Sequence, residues 1–222
     1  MTDVVPLILA KAPVAGRVKT RLAADVGDLV AADLAAAALL DTLDLVQQAY
    51  PDGPRALALD GDLAVAERDE ELVEGLKGWT VIRQRGDTFA ERIGHAHRAV
   101  HDVTGSAVLQ IGMDTPHLVP EMLLDAAGGL TAHDCVLGLA EDGGWWLLGL
   151  NDPRQAVLLR DVPMSRRDTG DLTMAALAGS VTMTTASTTY DVDTAADAER
   201  AATDAPHTRF AEGWRALDRS PR

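Results

Sequence analysis

The sequence predicts a mostly parallel, doubly wound α/β fold with an added antiparallel hairpin. Short apolar runs rich in β-formers alternate with longer helical patterns, which is typical of a parallel sheet with helices on both faces. The first run, "VVPLILA", is continuously apolar, as strands buried on both faces are. Later the alternation breaks, because only "EDGG" separates the apolar runs "DCVLGLA" and "WWLLGL". This spacing predicts two strands joined by a tight turn.

The other elements follow in chain order. Strands are predicted at "RALALDG", "WTVIRQ", "SAVLQIG" and "VTMTTA". Helices are predicted at "VAADLAAAALLDTLDLVQQAY", "AVAERDEELVEGL", "FAERIGHAHRAVHDV", "VPEMLLDAAGGL", "DLTMAALAG" and "TAADAERAA". We expect one domain over residues 1–222, with its core at about 4–202 and a peripheral tail at 203–222. Phe210, Trp214 and Leu217 have the helical spacing that would let this tail dock.

Composition excludes several classes of function. The chain of 222 residues has 34 Asp and Glu against 20 Lys and Arg, a net charge of −14. This charge disfavours binding to nucleic acid or to an anionic membrane surface. No apolar run reaches the roughly 18 residues of a membrane span, and no signal-peptide pattern begins the chain. The single cysteine, Cys135, fits a reducing compartment, so we expect a cytoplasmic protein.

Positive charge is concentrated in the basic segment, "KAPVAGRVKTRL", residues 11–22, directly after the first strand. It holds four basic residues and no acidic one. A glycine-containing loop that leads into a helix suits phosphate, and Lys and Arg side chains add charge-assisted hydrogen bonds. Neither of the two commonest phosphate motifs, G-x-x-x-x-G-K-[ST] and G-x-G-x-x-G, is present. The alternative is a solvated basic turn.

Acidic residues follow two other predicted strands. Asp114 comes just after "VLQI", where a carboxylate would suit Mg²⁺ or Mn²⁺, although it could equally cap the next turn or helix. Asp191 and Asp193 are two residues apart, so in an extended segment both side chains point the same way. Two converging carboxylates suit a divalent ion; the alternative is that Asp193 or Thr194 caps the following helix.

The segment "EDGGWW" combines a turn signal with groups that could bind a sugar. Taken alone, Asp142 followed by two glycines favours a plain hairpin turn. Carboxylates can bind hydroxyl groups, however, and aromatic rings can stack on sugar faces. On the predicted helix "HAHRAVH", His97 and His101 are expected on a partly exposed face rather than in a metal site, since no third ligand is evident.

The order of these motifs resembles one bacterial family. "KAPVAGRVKTRL", "QRGDTFAER", "GMDTPHL", "EDGG" and "YDVDT" are similar to those of small glycosyltransferase-like proteins, often encoded beside radical-SAM enzymes and described as arsenosugar-biosynthesis-type transferases. More distantly the chain resembles phospholactate and molybdopterin guanylyltransferases. The resemblance runs from about Val4 to Ala202 and implies the GT-A fold of nucleotide-diphospho-sugar transferases.

The resemblance also implies residue roles on the nucleotide side. Lys11, Gly16, Lys19 and Arg21 would surround the phosphates of a bound nucleotide. Gln84 would lie near the base or ribose.

Further roles concern the metal and the acceptor. Asp114 and Asp193 would hold Mg²⁺ or Mn²⁺, and Glu141 or Asp142 would act as the base that activates an acceptor hydroxyl. The sugar or acceptor would lie against the end of the same segment, at Gly143, Gly144 and Trp145.

These roles predict a metal-dependent glycosyltransferase that moves a sugar from a nucleotide-diphospho-sugar to a small acceptor. One alternative is a nucleotidyltransferase that releases pyrophosphate, although the basic segment lacks the Gly-Gly-x-x-x-Arg-Met pattern of pyrophosphorylases. A second alternative, from another class, is a nucleotide-binding protein without turnover.

Overall fold

Seven strands form one twisted sheet in the computed structural model, which describes residues 3–217. The spatial order of the strands is β3-β2-β1-β4-β6-β5-β7. Their bounds are β1 Val4–Lys11, β2 Ala56–Asp60, β3 Thr80–Arg83, β4 Ala107–Ile111, β5 Cys135–Ala140, β6 Trp145–Leu150 and β7 Met183–Thr189. All seven strands were predicted from the sequence within a few residues of these ends.

The helices occupy both faces of this sheet. Their bounds are α1 Thr20–Val26, α2 Asp28–Ala49, α3 Asp69–Gly75, α4 Phe89–Thr104, α5 Pro120–Gly129, α6 Thr169–Leu177, α7 Ala195–Asp204 and α8 Arg209–Leu217, with 3₁₀ turns at Leu63–Val65 and Pro153–Leu159. Helix α1 and both 3₁₀ turns were not predicted from the sequence. One continuous helix was predicted where the first 3₁₀ turn and α3 occur. The two are separate because extended Ala66 and left-handed Arg68 (φ 54°) interrupt the helical path.

Strand direction confirms the predicted mixed sheet and adds one detail. Every neighbouring pair is parallel except those that involve β6, which runs antiparallel to both β4 and β5. The predicted hairpin is therefore present, but its second strand lies inside the sheet rather than at its edge. As a result β5 runs parallel to β4, and the turn at residues 141–144 lies at the same edge as the carboxyl ends of β1, β4 and β7.

Two apolar layers hold the helices to the sheet. On one face β1 and β4 pack against the alanine-rich α2 and against α5, and on the other face they pack against α4, the second 3₁₀ turn and α6. Small alanine side chains let α2 approach the sheet closely. Phe210 of α8 is 2% exposed in a third cluster with residues of α2, so the chain docks there as its spacing predicted. Among residues 3–217, no helix combines the length and apolar character needed to cross a membrane.

The prediction that His97 lies on a partly exposed face is wrong. His97 is fully buried, and its Nε2 atom lies 2.9 Å from Oε1 of Gln110 on β4. It belongs to the inner stripe of α4, between Ile93 and Val100, which packs on the sheet. Burial lowers the pKa of His97 to about 4, so the neutral ring donates its Nε2–H to Gln110.

We expect this pair to make the fold sensitive to acid. The pKa of His97 is about 4 in the folded protein and near 6.5 in the unfolded chain, so the unfolded chain binds more protons as the pH falls between these values. Stability present above pH 6.5 is lost as the pH falls, by about 2 kcal/mol at pH 4.5. Urea unfolding at pH 7 and pH 4.5 measures the loss. The double variant His97→Leu with Gln110→Leu should show a smaller loss, and an equal loss in both proteins would contradict this account.

Candidate active site

An open cleft of about 920 Å³ lies at the carboxyl ends of the parallel strands. Ligands of open α/β sheets bind at this edge. The cleft brings together segments that are far apart in sequence: the basic segment after β1, Asp114 after β4, the turn after β5, and Asp191 and Asp193 after β7. They meet because β1, β4, β5 and β7 run in the same direction.

Lys19 joins two of the predicted metal ligands. Its side chain is 7% exposed, and its Nζ atom lies 2.5 Å from Oδ1 of Asp114 and 3.4 Å from Oδ1 of Asp193. It also donates a hydrogen bond to the carbonyl oxygen of Val192. Burial by itself would lower the pKa of Lys19, but the carboxylates of Asp114 and Asp193 outweigh burial and raise this pKa above its usual value. The ammonium therefore stays charged and ties the basic segment to two strand ends.

The four residues predicted to surround the phosphates occupy different positions. Lys11 and Arg21 line the main cleft, and a guanidinium nitrogen of Arg21 lies 3.2 Å from Oδ2 of Asp193. Lys19 instead lines a second cavity of about 290 Å³, which borders the same carboxylates. Gly16 does not line the main cleft; its φ of 74° lets the basic segment turn before α1. Lys11 and Arg21 are thus the residues placed to meet a ligand directly.

Neither Asp114 nor Asp193 is needed as a helix cap. Helix α5 has Val119 at its N-cap, and helix α7 begins with a capping box between Thr194 and Asp197. The alternative that Thr194 caps the last predicted helix is therefore what the structure shows. The carboxylates of Asp114 and Asp193 remain at the cleft.

Asp191 also lies at the cleft, although only Asp114 and Asp193 were predicted as metal ligands. Its spacing of two residues from Asp193 was the signal for it in the sequence. It lines the cleft and is only partly exposed. Burial raises the pKa of Asp191 to about 7, and the carboxylate of Asp114 adds to this rise. Three carboxylates therefore share one wall of the cleft, where Lys19 contacts Asp114 and both Lys19 and Arg21 contact Asp193.

This wall has the donor atoms that Mg²⁺ and Mn²⁺ prefer, because carboxylate oxygens are hard ligands. Lys19 contacts one oxygen each of Asp114 and Asp193, which leaves oxygens of Asp114 and Asp191 for a metal ion. Within residues 3–217, no group of three or more His, Cys, Asp or Glu side chains is already arranged to hold a metal ion. The donor set fits a divalent ion whose coordination is completed by the phosphates of a ligand.

Glu141, one of the two predicted bases, is held in an ion pair. Its two carboxylate oxygens accept hydrogen bonds of 2.7 and 2.9 Å from the guanidinium of Arg200. These bonds hold the pKa of Glu141 below its usual value, which makes its carboxylate a weak base. Arg200 in turn lies 3.7 Å from the centre of the Tyr190 ring, which stacks on His117 at 3.9 Å. The sequence carries no signal for this partner, since Arg200 is 59 residues away.

The segment at residues 141–144 is the predicted hairpin turn, and it also lines the cleft. Oδ1 of Asp142 accepts the Gly144 N–H at 2.8 Å, which fixes the turn. Gly143 has φ of 90°, and a Cβ atom there would lie 1.8 Å from the backbone oxygen of Arg167. Only glycine fits this position. Asp142 and Gly144 line the cleft together with Lys11 and Arg21 of the basic segment.

The two tryptophans after the turn have different environments. Trp145 is partly exposed and lines the cleft, where a ring can contact a sugar or acceptor. Trp146 is 3% exposed, and its Nε1–H donates to the carbonyl oxygen of Ser187. Gly138 on β5 makes room for it, because a Cβ there would lie 2.5 Å from Nε1 of Trp146. Trp146 also lines the cleft but is held in the core, so Trp145 is the tryptophan with the more accessible ring.

Gln84 lines the cleft beyond the end of β3. Its Nε2 atom donates to the carbonyl oxygens of Ala10 and Ala58, at 2.9 Å each, which fixes the amide and leaves Oε1 as an acceptor for a ligand. Phe89 lines the same end with 44% of its surface exposed. Phe89 was not predicted as a site residue, because an aromatic residue at a helix start carries no functional signal.

No site residue was predicted in residues 163–168, "PMSRRD", here called the arginine loop. Arg166 and Arg167 of this loop line the cleft beside the turn at residues 141–144. The segment follows the second 3₁₀ turn and contains no glycine, so its sequence resembles an ordinary polar connection.

Solved structures with a similar fold include transferases and a manganese complex. A provisionally named nucleotide-diphospho-sugar transferase from Desulfovibrio desulfuricans G20 is 24% identical, with a TM-score of 0.83 over 98% of this chain and 96% of that chain. The CMP:2-keto-3-deoxy-manno-octonic acid synthetase complexed with CTP is 14% identical, with a TM-score of 0.57 over 92% and 99%. Rv0371C of Mycobacterium tuberculosis H37Rv in complex with manganese is 20% identical, with a TM-score of 0.52 over 90% and 98%. These similarities confirm the predicted fold.

Sequence comparison places the chain in a family. No curated protein sequence matches it. The family model described as "Uncharacterized protein conserved in bacteria (DUF2064)" matches residues 42–166, which is more than half of the chain. The matched region extends from within α2, across β4 with Asp114 and the turn at residues 141–144, into the arginine loop. The protein therefore belongs to the DUF2064 family.

Proposed function

We propose that this protein is a divalent-cation-dependent glycosyltransferase that uses a nucleotide-activated sugar. The observation that carries the proposal is the cleft in which Lys11 and Arg21 face a wall of three carboxylates at the carboxyl ends of parallel strands. Positive side chains suit a diphosphate, and carboxylates suit the metal ion that accompanies it. The similar fold named as a nucleotide-diphospho-sugar transferase and the manganese complex of another similar fold support this choice.

Each side chain would have a distinct task on the nucleotide side. Lys11 and Arg21 would neutralise the negative charge that develops on the departing nucleoside diphosphate. Asp114 and Asp191 would hold Mg²⁺ or Mn²⁺, which would supply further neutralisation of the diphosphate charge, while Asp193 is engaged by Lys19 and Arg21. The Lys19 ammonium would keep Asp114 and Asp193 in place through its contacts with both.

On the acceptor side, the step requires a base. The acceptor oxygen would bond to the anomeric carbon, the bond from that carbon to the diphosphate oxygen would break, and the acceptor proton would pass to a carboxylate. Glu141 is engaged by Arg200, so Asp142 is the carboxylate of the turn that we assign to this role.

The basic segment favours glycosyl over nucleotidyl transfer. It contains Pro13 and a single glycine, Gly16, so few backbone N–H groups can converge on a triphosphate. Nucleotidyl transfer with release of pyrophosphate is the second candidate, because a similar fold was solved as a synthetase with CTP.

A pair of isosteric variants tests the assignment of the base. We expect Asp142→Asn to lower kcat about a hundredfold, since a positioned base contributes roughly 10²- to 10⁴-fold. We expect Glu141→Gln to lower kcat less, because its carboxylate already pairs with Arg200. Steady-state kinetics of both variants measure the difference. A larger loss in Glu141→Gln would return the role of base to Glu141.

The proposed function is tested with mixed nucleotides and nucleotide sugars. A bound ligand at 100 times its Kd should stabilise the fold by about 2.7 kcal/mol, and we expect this stabilisation to need Mn²⁺ or Mg²⁺. The protein should then hydrolyse a nucleotide sugar slowly and release nucleoside diphosphate. Pyrophosphate release from nucleoside triphosphates alone would favour the second candidate. Binding without either reaction would indicate a nucleotide-binding protein, and no stabilisation by any nucleotide would reject the proposal.

A further inference from the structure

The arginine loop is fixed against the turn at the acceptor end of the cleft. The Gly170 N–H donates to the carbonyl oxygen of Gly143 at 2.8 Å. Gly143 also lies so close to the backbone of Arg167 that no side chain fits between them. The loop and the turn therefore form one surface, and the place of Arg167 beside Asp142 is set by backbone contacts.

The start of α6 holds the loop from its other end. Oγ1 of Thr169 donates to the carbonyl oxygen of Pro163 at 3.0 Å and accepts the Arg166 N–H at 3.0 Å. Thr169 is buried, so these bonds are shielded from water. The backbone that carries the two arginines is thus restrained on both sides, as a preorganised binding site requires.

The two arginines differ in their partners. The guanidinium of Arg166 is paired with both carboxylate oxygens of Asp168, at 2.9 and 3.0 Å. The side chain of Arg167 makes no hydrogen bond or ion pair with any residue in 3–217, and it lines the cleft. An exposed guanidinium held on a restrained backbone beside a cleft can bind a carboxylate or phosphate through two parallel hydrogen bonds.

The acidic residues nearby do not cancel this positive charge. Glu141 is neutralised by Arg200, as Asp168 is by Arg166, so each pair contributes little net charge. Asp142 and Arg167 then remain as one negative and one positive group that both line the cleft, and the backbone of Arg167 contacts Gly143. This arrangement suits an acceptor that offers a hydroxyl group to Asp142 and an anionic group to Arg167.

We propose that the acceptor carries an anionic group, a carboxylate or a phosphate, and that Arg167 binds it. This inference rests on the proposed function in one respect, which is that the ligand at this end of the cleft is taken to be the acceptor. An anionic acceptor is compatible with this end of the cleft, because the charge of Glu141 that would repel an anion is neutralised by Arg200.

The test compares three small probes that share a glycerol skeleton: glycerol 3-phosphate, glycerate and glycerol. Each is titrated into the protein with Mn²⁺ and a stabilising nucleoside diphosphate, and binding is followed by thermal stability. We expect stabilisation by at least one anionic probe and none by glycerol at the same concentration. Arg167→Ala should lower the affinity for the anionic probe about ten- to a hundredfold. The control Arg98→Ala, on the exposed face of α4, should leave this affinity unchanged.

The outcomes separate this inference from the proposed function. A response to glycerol 3-phosphate alone supports a phosphate acceptor, and a response to glycerate alone supports a carboxylate. Equal binding by wild type and Arg167→Ala, or no preference for the anionic probes over glycerol, overturns the inference. Arg167→Ala should keep wild-type nucleotide affinity. If no nucleotide stabilises any variant, the proposed function fails, and the same probe comparison on the nucleotide-free protein still decides the role of Arg167.

Discussion

Replacing Asp114 by asparagine is expected to abolish the metal-dependent part of nucleotide binding. The change keeps the shape of the side chain but removes the charge that faces both the cleft and the Lys19 ammonium. Loss of a charged ligand costs about 1.5–3 kcal/mol or more, so the Kd of the nucleotide in the presence of Mn²⁺ should rise about a hundredfold. Isothermal titration with and without Mn²⁺ measures this change.

A matched control makes the result specific to the cleft. Asp125→Asn makes the same chemical change on the exposed face of α5 and should leave nucleotide affinity unchanged. Far-ultraviolet circular dichroism would show that both variants are folded. If Asp114→Asn binds nucleotide with the same Mn²⁺ dependence as the wild type, Asp114 is not a metal ligand.

Among the variants described, Lys19→Met is expected to have the largest loss in free energy of unfolding. The change removes a buried ammonium that contacts the carboxylates of Asp114 and Asp193, and leaves Asp193 with Arg21 as its partner. Breaking a buried ion pair costs about 3–5 kcal/mol, and the lower end applies because the two carboxylates are 42% and 44% exposed. The melting temperature should fall by roughly 6 to 12 °C. The left-handed backbone of Lys19 adds nothing to this loss, since methionine fits that conformation no worse than lysine.

The control for this variant is Lys77→Met, which breaks the exposed ion pair with Glu74 and should cost less than about 1 kcal/mol. Mn²⁺ should raise the melting temperature of Lys19→Met more than that of the wild type, because a divalent ion would replace the missing positive charge. Equal melting temperatures of Lys19→Met and Lys77→Met would show that Lys19 is not required to compensate these carboxylates.

The sequence by itself determined the fold class, the order of the strands along the chain, and four of the segments that meet at the cleft, but not the arginine loop. Apolar runs such as "VVPLILA" specify buried strands, because burying a continuous apolar surface is favourable whichever strand lies next to it. The basic segment and the carboxylates after "VLQI" and "TTY" were visible for a similar local reason, since residues that follow parallel strands share one edge of the sheet.

The tertiary structure alone decided which charges pair. The Lys19 ammonium lies among the carboxylates of two distant strand ends, and Glu141 is neutralised by Arg200, 59 residues away. It also decided that β6 enters the sheet between β4 and β5, and that Arg167 stands beside the turn because Gly143 admits its backbone. Charge interactions depend on distances in space, and those distances follow from strand order and loop packing, which no local pattern of residues encodes.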